Sequence, residues 1–435
     1  MSSLGRALVV LLVVVTIGLV GFAGLAWRSA LAPIAPPASS SFTPEIVARG
    51  AVLASAGYCA TCHTAKGGQP YAGGYPIQTG FGTIYSTNIT PDAATGIGSW
   101  SEAAFRRAMH QGVARDGSLL FPAFPYDHFT KLSDTDVSAL YAYFMTRPPV
   151  HASARKNTLP FPLNIRALQA GWKLLFFSAG RFQEQPQRGA AWNRGAYLAE
   201  GISHCAACHT PRNALGAEER GKPFAGGPIE GWEAPPLTRS NPSPAPWTED
   251  ELFAYLRTGV SRLHGTTAGP MSVVVHAGLA KLPDADIRAL AVYFADIDDA
   301  GARVAEAAPA TGRALATGAP GISPIDDPAA RLTTVACASC HYNAGATPNS
   351  LRPDLALNTA VNAPAPTNLI RIMLYGVSAQ EGAAGVVMPG FAPGLNDADI
   401  ARIAAYLRAT KTAHAAWPDL EKQVASIRKL GIGQE

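Results

Sequence analysis

Three short stretches of one pattern constrain this chain more than any other feature. They read Cys59-Ala-Thr-Cys62-His63, Cys205-Ala-Ala-Cys208-His209 and Cys337-Ala-Ser-Cys340-His341. C-x-x-C-H is the attachment signature of a c-type haem. The two thiols reach the vinyl groups along one porphyrin edge, and the adjacent His lies over the iron as its proximal ligand. The chain has six Cys, and all six fall inside these motifs. The alternatives are disulfides and Cys/His zinc sites; neither accounts for a His after the second Cys in every copy. The motifs therefore predict three covalently bound haem c groups. Cys59, Cys62, Cys205, Cys208, Cys337 and Cys340 are the attachment residues, and His63, His209 and His341 are iron ligands.

The rest of the composition fits this reading. The chain of 435 residues is 48% hydrophobic and only 15% charged, so it can bury cores and is not a disordered segment. Its net charge of +4 gives no argument for a nucleic-acid partner. In bacteria covalent haem attachment is completed outside the cytoplasmic membrane. The body of the chain is therefore expected in the periplasm, on the outer face of the inner membrane. Ala7 to Trp27 carries no charge, long enough to cross about 30 Å of hydrocarbon. It exceeds the apolar core of a cleaved signal peptide, roughly 7–15 residues, and the best cleavage candidate is Ser-Ala-Leu-Ala at 29–32. Residues 1–32 are expected to be a membrane anchor, with a removed signal as the alternative.

An internal repeat orders the remainder. Leu132-Ser-Asp-Thr-Asp, Leu282-Pro-Asp-Ala-Asp and Leu395-Asn-Asp-Ala-Asp each open an apolar helical stretch that contains a Tyr. Asp in a first turn satisfies free N–H groups and suits the helix dipole. Upstream, Arg49-Gly-Ala matches Arg194-Gly-Ala, while the third copy near Arg331 is degenerate. Helices are expected over 45–55, 100–111, 133–146 and 420–430. The expected domains are 42–150, 187–300 and 331–412. A connector spans 151–186, an Ala/Pro/Gly-rich linker 301–330 and a tail 413–435. The connector contains Leu159-Pro-Phe-Pro-Leu-Asn-Ile-Arg166 and Gly171-Trp-Lys-Leu-Leu-Phe-Phe177. It is read as packing on its own domains, with a membrane or partner contact as the alternative.

The far face of each iron needs a ligand, usually Met or His. Met388 in Val-Met-Pro-Gly-Phe and Met271 in Gly-Pro-Met lie in loops shortly before a closing helix. That is where a class I cytochrome c places its distal Met. Met145 and Met373 fall in apolar helical stretches and read as core. The first domain breaks the pattern with Phe121-Pro-Ala-Phe124-Pro125-Tyr-Asp-His128. Phe124 cannot ligate, so three options stay open there. His128 ranks first; Met109 or its neighbour His110 is the second, and an open site the third.

The three motifs, the three Leu-x-Asp-x-Asp helices, the Pro-Phe-Pro-Leu-Asn connector and the two Met loops make the chain resemble a known family. It is similar to the triple-haem cytochrome c subunits of bacterial membrane-bound dehydrogenases. The resemblance implies a mainly α fold of three tandem class I cytochrome c domains after an N-terminal transmembrane helix. It implies an electron-transfer subunit that takes electrons from a catalytic dehydrogenase partner and delivers them to ubiquinone in the membrane. Pro-Ala-Phe-Pro-Tyr-Asp-His in place of Pro-Ala-Met-Pro-Tyr is similar to cytochromes that accompany molybdenum aldehyde or N-heterocycle oxidoreductases, which adds a small iron–sulfur subunit to the expected partners. Quinoprotein alcohol dehydrogenases and flavin sugar dehydrogenases are the alternative partners. A self-contained peroxidase-like haem enzyme and a lone membrane-tethered shuttle are the readings from other classes.

Overall fold

A glycine at a helix crossing sets the architecture of two of the three motif regions. The structure is a computed structural model that describes residues 2–318, 327–341 and 352–431. It divides into two units, Met1–Gln183 and Glu184–Glu435.

In the first unit, α1 (Ser3–Ala26) is capped by Ser2 and has no buried residue. It is long and apolar enough to cross a membrane. The chain beyond it is tied down by backbone hydrogen bonds, Leu31 N to Arg115 O at 2.8 Å and Ile34 N to Ser99 O at 3.0 Å. Next, α2 (Pro44–Ala56) starts from a Thr43 cap with Pro in its first turn. The Ser101-capped α3 (Glu102–Gln111) and the Ser133-capped α4 (Asp134–Met145) follow. Where α2 crosses α4, Gly50 lies against Ala139 O and Tyr143 Cβ; any side chain there would overlap them. The amphipathic α5 (Gln169–Phe176) packs its buried Ala170 with Val113 and Leu119, against Phe22 and Ala26 of α1.

The second unit repeats this plan. The α6 helix (Ala190–Tyr197) continues through a wide turn, Leu198–Ile202, toward the second motif. Its Gly195 meets Ala289 O and Tyr293 Cβ of α8 (Asp284–Ile297), reproducing the Gly50 crossing. Between them, α7 (Glu249–Thr258) is capped by Thr248. The third motif continues from α10 (Pro328–Thr333), which packs on α12 (Asp397–Lys411). With α11 (Thr367–Tyr375) and α13 (Leu420–Leu430) it closes a core that includes Leu369, Ile400, Ile403, Trp417 and Val424.

Three helices, α3, α7 and α11, end on a glycine of positive φ, Gly112 (58°), Gly259 (78°) and Gly376 (78°). Each stop turns the chain into a short antiparallel pairing: Val113 with Leu119, Val260 with Thr266 and Val377 with Met388. The return strands lead toward the segments read as distal.

Two stretches take a more definite form in the structure than in the sequence. The stretch read as a linker is helical over Ala300–Gly318, here α9. Alanine is the best helix former, and Ala310 and Ala314 bury against Leu263 and Leu357. Positions 319–326 of that stretch lie outside the described residues. The connector packs on its unit only in part. Leu159 and Ala170 are buried, but Phe161 is 80% exposed, Leu174 66% and Leu175 63%. By contrast the tail helix spans Leu420–Leu430 as expected.

Candidate functional site

Each motif forms a single helical turn: Cys59–Cys62, Ala206–His209 and Ser339–His341. Tyr58 and His204, the residues before the first Cys of motifs one and two, hold left-handed φ of 37° and 34°. This bend breaks the incoming helix and presents the Cys pair at its end. No disulfide joins any of the six Cys. Desolvation pushes the Cys59 and Cys205 thiols up to about 12, and Cys208 and Cys337 up to about 11. Such thiols are not the activated thiolates of a nucleophilic or redox site.

The three motif histidines share one geometry. His63 Nδ1 donates to Thr87 O at 2.7 Å, His209 Nδ1 to Pro235 O at 2.7 Å and His341 Nδ1 to Pro353 O at 3.1 Å. A carbonyl only accepts, so the proton sits on Nδ1 and Nε2 keeps its lone pair. Burial holds all three imidazoles below the usual His range, against the pull of the carbonyls. A neutral ring, oriented by a backbone carbonyl with Nε2 available, is what an axial ligand requires. The residues present therefore fit haem c.

The packing around the motifs repeats as well. Tyr71 and Phe224, both at positive φ, pack edge-on against Phe144 and Phe294 of the closing helices. Met388 is pinned by paired backbone bonds to Val377, at 3.0 and 2.9 Å. Gly376 admits this approach, because a Cβ there would overlap Met388 O. Met271 lies not in an open loop but in the one-turn helix Pro270–Val273, which starts at Gly269 with φ 56°. The indole of Trp232 fills the space where a Gly269 side chain would project.

Glu381 links the two segments read as distal. Its carbonyl accepts from Thr267 Oγ1 at 2.5 Å and Ser272 Oγ at 2.7 Å, and from His276 Nε2 at 2.9 Å. Its carboxylate accepts from Gly269 N at 3.2 Å and Ser378 N at 2.9 Å. No pattern in the chain points to Glu381, nor to the three carbonyls behind the motif histidines, because main-chain acceptors leave no side-chain signature.

In the first unit, His128 is buried in the one-turn helix Tyr126–Phe129. His110 is buried too, but its Nδ1 lies 3.8 Å from Asp134 at the start of α4. Burial, chiefly, pushes it down to about 4. Met109 is buried on α3. Met145 and Met373 are core residues, as read from the sequence. Two further histidines are held by neighbours: His276 by the Glu381 carbonyl, and His264 between Ser243 Oγ, at 2.8 Å, and the stacked ring of Trp247, at 3.7 Å.

Comparison with known proteins follows this geometry. The cytochrome c family model matches residues 47–148 and 327–411. The gluconate 2-dehydrogenase cytochrome c subunit of Pantoea cypripedii is 38% identical over 403 residues, covering 88% of this chain and 90% of that protein. The chain belongs to the cytochrome c subunits of dehydrogenase complexes. The fructose dehydrogenase cytochrome subunit of Gluconobacter japonicus is likewise 38% identical to this cytochrome subunit, over 86% of the chain and 81% of that protein. A nicotinate dehydrogenase subunit of Pseudomonas putida is 46% identical over 411 residues. That match takes in 93% of the cytochrome subunit but 34% of the relative, so the chain spans about a third of it. Haem c is the cofactor of the family and electron transfer its work.

Proposed function

We propose that this cytochrome subunit carries three haem c groups, one on each motif, and passes electrons singly from a catalytic dehydrogenase partner to ubiquinone. The observation that carries this reading is the repeated Nδ1-to-carbonyl bond of His63, His209 and His341. Bound haem supplies the reversible one-electron couple. The chain's residues hold it by two thioethers, orient the proximal ring, and supply Met271 and Met388 on the far side of the second and third haems. His128 is the distal ligand of the first. The subunit sits on the periplasmic face of the inner membrane, retained by α1.

The favoured partner is a molybdenum dehydrogenase with a small iron–sulfur subunit. Two observations support it: Phe124 stands in the first distal segment, and the relative at 46% identity is named for nicotinate, an N-heterocycle. The test is gentle extraction from the native membrane, capture on this subunit, and assay of the co-purifying material. Molybdenum with extra iron and acid-labile sulfide is the expected result. A quinone or flavin partner without molybdenum moves the assignment to alcohol or sugar oxidation. Recovery of the chain alone contradicts a subunit role.

A further inference from the structure

The first unit has a recess of about 330 Å³ where α1 ends against α5 and the turn after α3. Leu25, Leu119, Leu174 and Phe177 are among its walls, and Arg28 and Lys173 are the charged side chains that line it; none of the lining residues is acidic. Lys173 Nζ donates to Gln111 O and lies 5.2 Å from the ring centres of Tyr126 and Phe177. One donor of its ammonium is thus engaged, and an ammonium has three. Burial and the nearby Arg28 push Lys173 down to about 8. Two like charges share an apolar recess whose walls hold no carboxylate. An arrangement that repels itself is stabilised when an anion enters.

What surrounds the recess indicates where that anion comes from. It opens beside the last turn of α1, where Leu25 and the following Trp27 are exposed, and beside α5 of the connector. There Phe161, Leu163, Ile165, Leu168, Leu174 and Leu175 are all exposed, in a segment that also carries Arg166. An exposed apolar stripe with cations at its edge, joined to a helix of bilayer length, has the composition of an interfacial membrane element.

We propose that Arg28 and Lys173 bind the phosphate of an anionic phospholipid, with the exposed apolar side chains of 161–175 set into the bilayer interface around it. The proposal rests on the reading of α1 as a retained anchor. The phosphodiester accepts charge-assisted hydrogen bonds from both cations, and its acyl chains run along α1 past Leu25.

The test uses the full haem-loaded chain in nanodiscs of phosphatidylglycerol and phosphatidylcholine in equal amounts with ubiquinone added, followed by release into detergent and native mass spectrometry. The wild type should retain one phosphatidylglycerol. Arg28→Gln and Lys173→Gln should each lower that retention about tenfold, the worth of one charge-assisted hydrogen bond. Lys173→Arg should restore it. An unchanged haem spectrum shows that each variant is folded. Equal retention of the two lipids, or variants that bind like the wild type, would overturn the proposal. So would ubiquinone retained in place of lipid and lost in Lys173→Gln, which would assign the recess to a neutral quinone. The same spectrum reports the intact mass: a chain lacking α1 means that the anchor reading has failed, and the site with it, whereas a full-length chain without lipid preference sinks the site alone.

Discussion

Arg194 grips Asp286 with two hydrogen bonds, Nε to Oδ1 at 2.7 Å and a terminal nitrogen to Oδ2 at 2.9 Å. Arg49 and Asp136 form the matching pair in the first unit, at 2.7 Å. Each Arg precedes the crossing glycine, so the pair fixes how the helix entering the motif rotates against the helix that closes the domain. The Asp136 side chain is 3% exposed and Arg49 about half exposed. Arg49→Ala removes the cation paired with a buried carboxylate. It should cost about 2 kcal/mol, below the full cost of breaking a buried pair because water screens the Arg side. Asp136→Asn should cost about 1 kcal/mol, since no charge is left buried. Urea midpoints followed by haem absorbance measure both, and equal midpoints for wild type and Arg49→Ala would remove the clamp from the account.

The distal assignments predict separable spectra. Met271→Ala and Met388→Ala should each remove part of the sulfur-to-iron charge-transfer absorption of the oxidised protein and lower the potential of one haem. His128→Ala should abolish a bis-His low-spin EPR signal and leave the Met-ligated haems untouched. A spectrum unchanged in His128→Ala rules that ligand out.

Glu381 should tune the second haem without touching it. Its carboxylate faces the backbone N–H of Gly269, two residues from Met271. Glu381→Ala removes a negative charge that favours the oxidised iron, and the potential of the second haem should rise by on the order of 50 mV. Glu381→Gln should give most of the same rise while its amide oxygen keeps one of the two side-chain hydrogen bonds, which helps to separate charge from loop position. Spectroelectrochemical titration reads both. A fall in potential, or a change confined to the first haem, contradicts the coupling.

His264 should make the fold acid-sensitive. Burial, with Arg303 adding to it, pushes the ring down to about 3, against the Pro246 carbonyl. The folded state therefore favours the neutral ring. That stability is fully present above the ordinary His value near 6.5 and is lost as pH falls toward 3. The wild type should lose roughly 3 kcal/mol more than His264→Asn between pH 7 and pH 4. Parallel stability curves for the two proteins would contradict this.

The sequence was legible where side-chain chemistry recurs at fixed spacing. The motifs and the closing helices are of that kind. The paired Asp of those helices carried a second message that capping hid: Asp136 and Asp286 hold the Arg beside the crossing glycine. Their third counterpart, Asp399, pairs with Arg402 instead, consistent with the degenerate Arg331 copy. Composition left the form of α9 open: the alanines read as a linker, and they form a helix whose small side chains suit close packing. Met271 looked like a loop residue because Gly269-Pro270 signals a turn; here it starts a helix, since Pro fits a first turn. The links through Glu381 and the motif carbonyls lie between segments distant in the chain, and no local pattern encodes them.

One covalent haem on each motif is open to intact-mass spectrometry of the purified holo chain. The holo chain should be heavier than its polypeptide by three haems, with Cys59→Ala/Cys62→Ala, Cys205→Ala/Cys208→Ala and Cys337→Ala/Cys340→Ala each one haem lighter. A wild-type mass with two haems or fewer, or bound zinc in place of a haem, would contradict it.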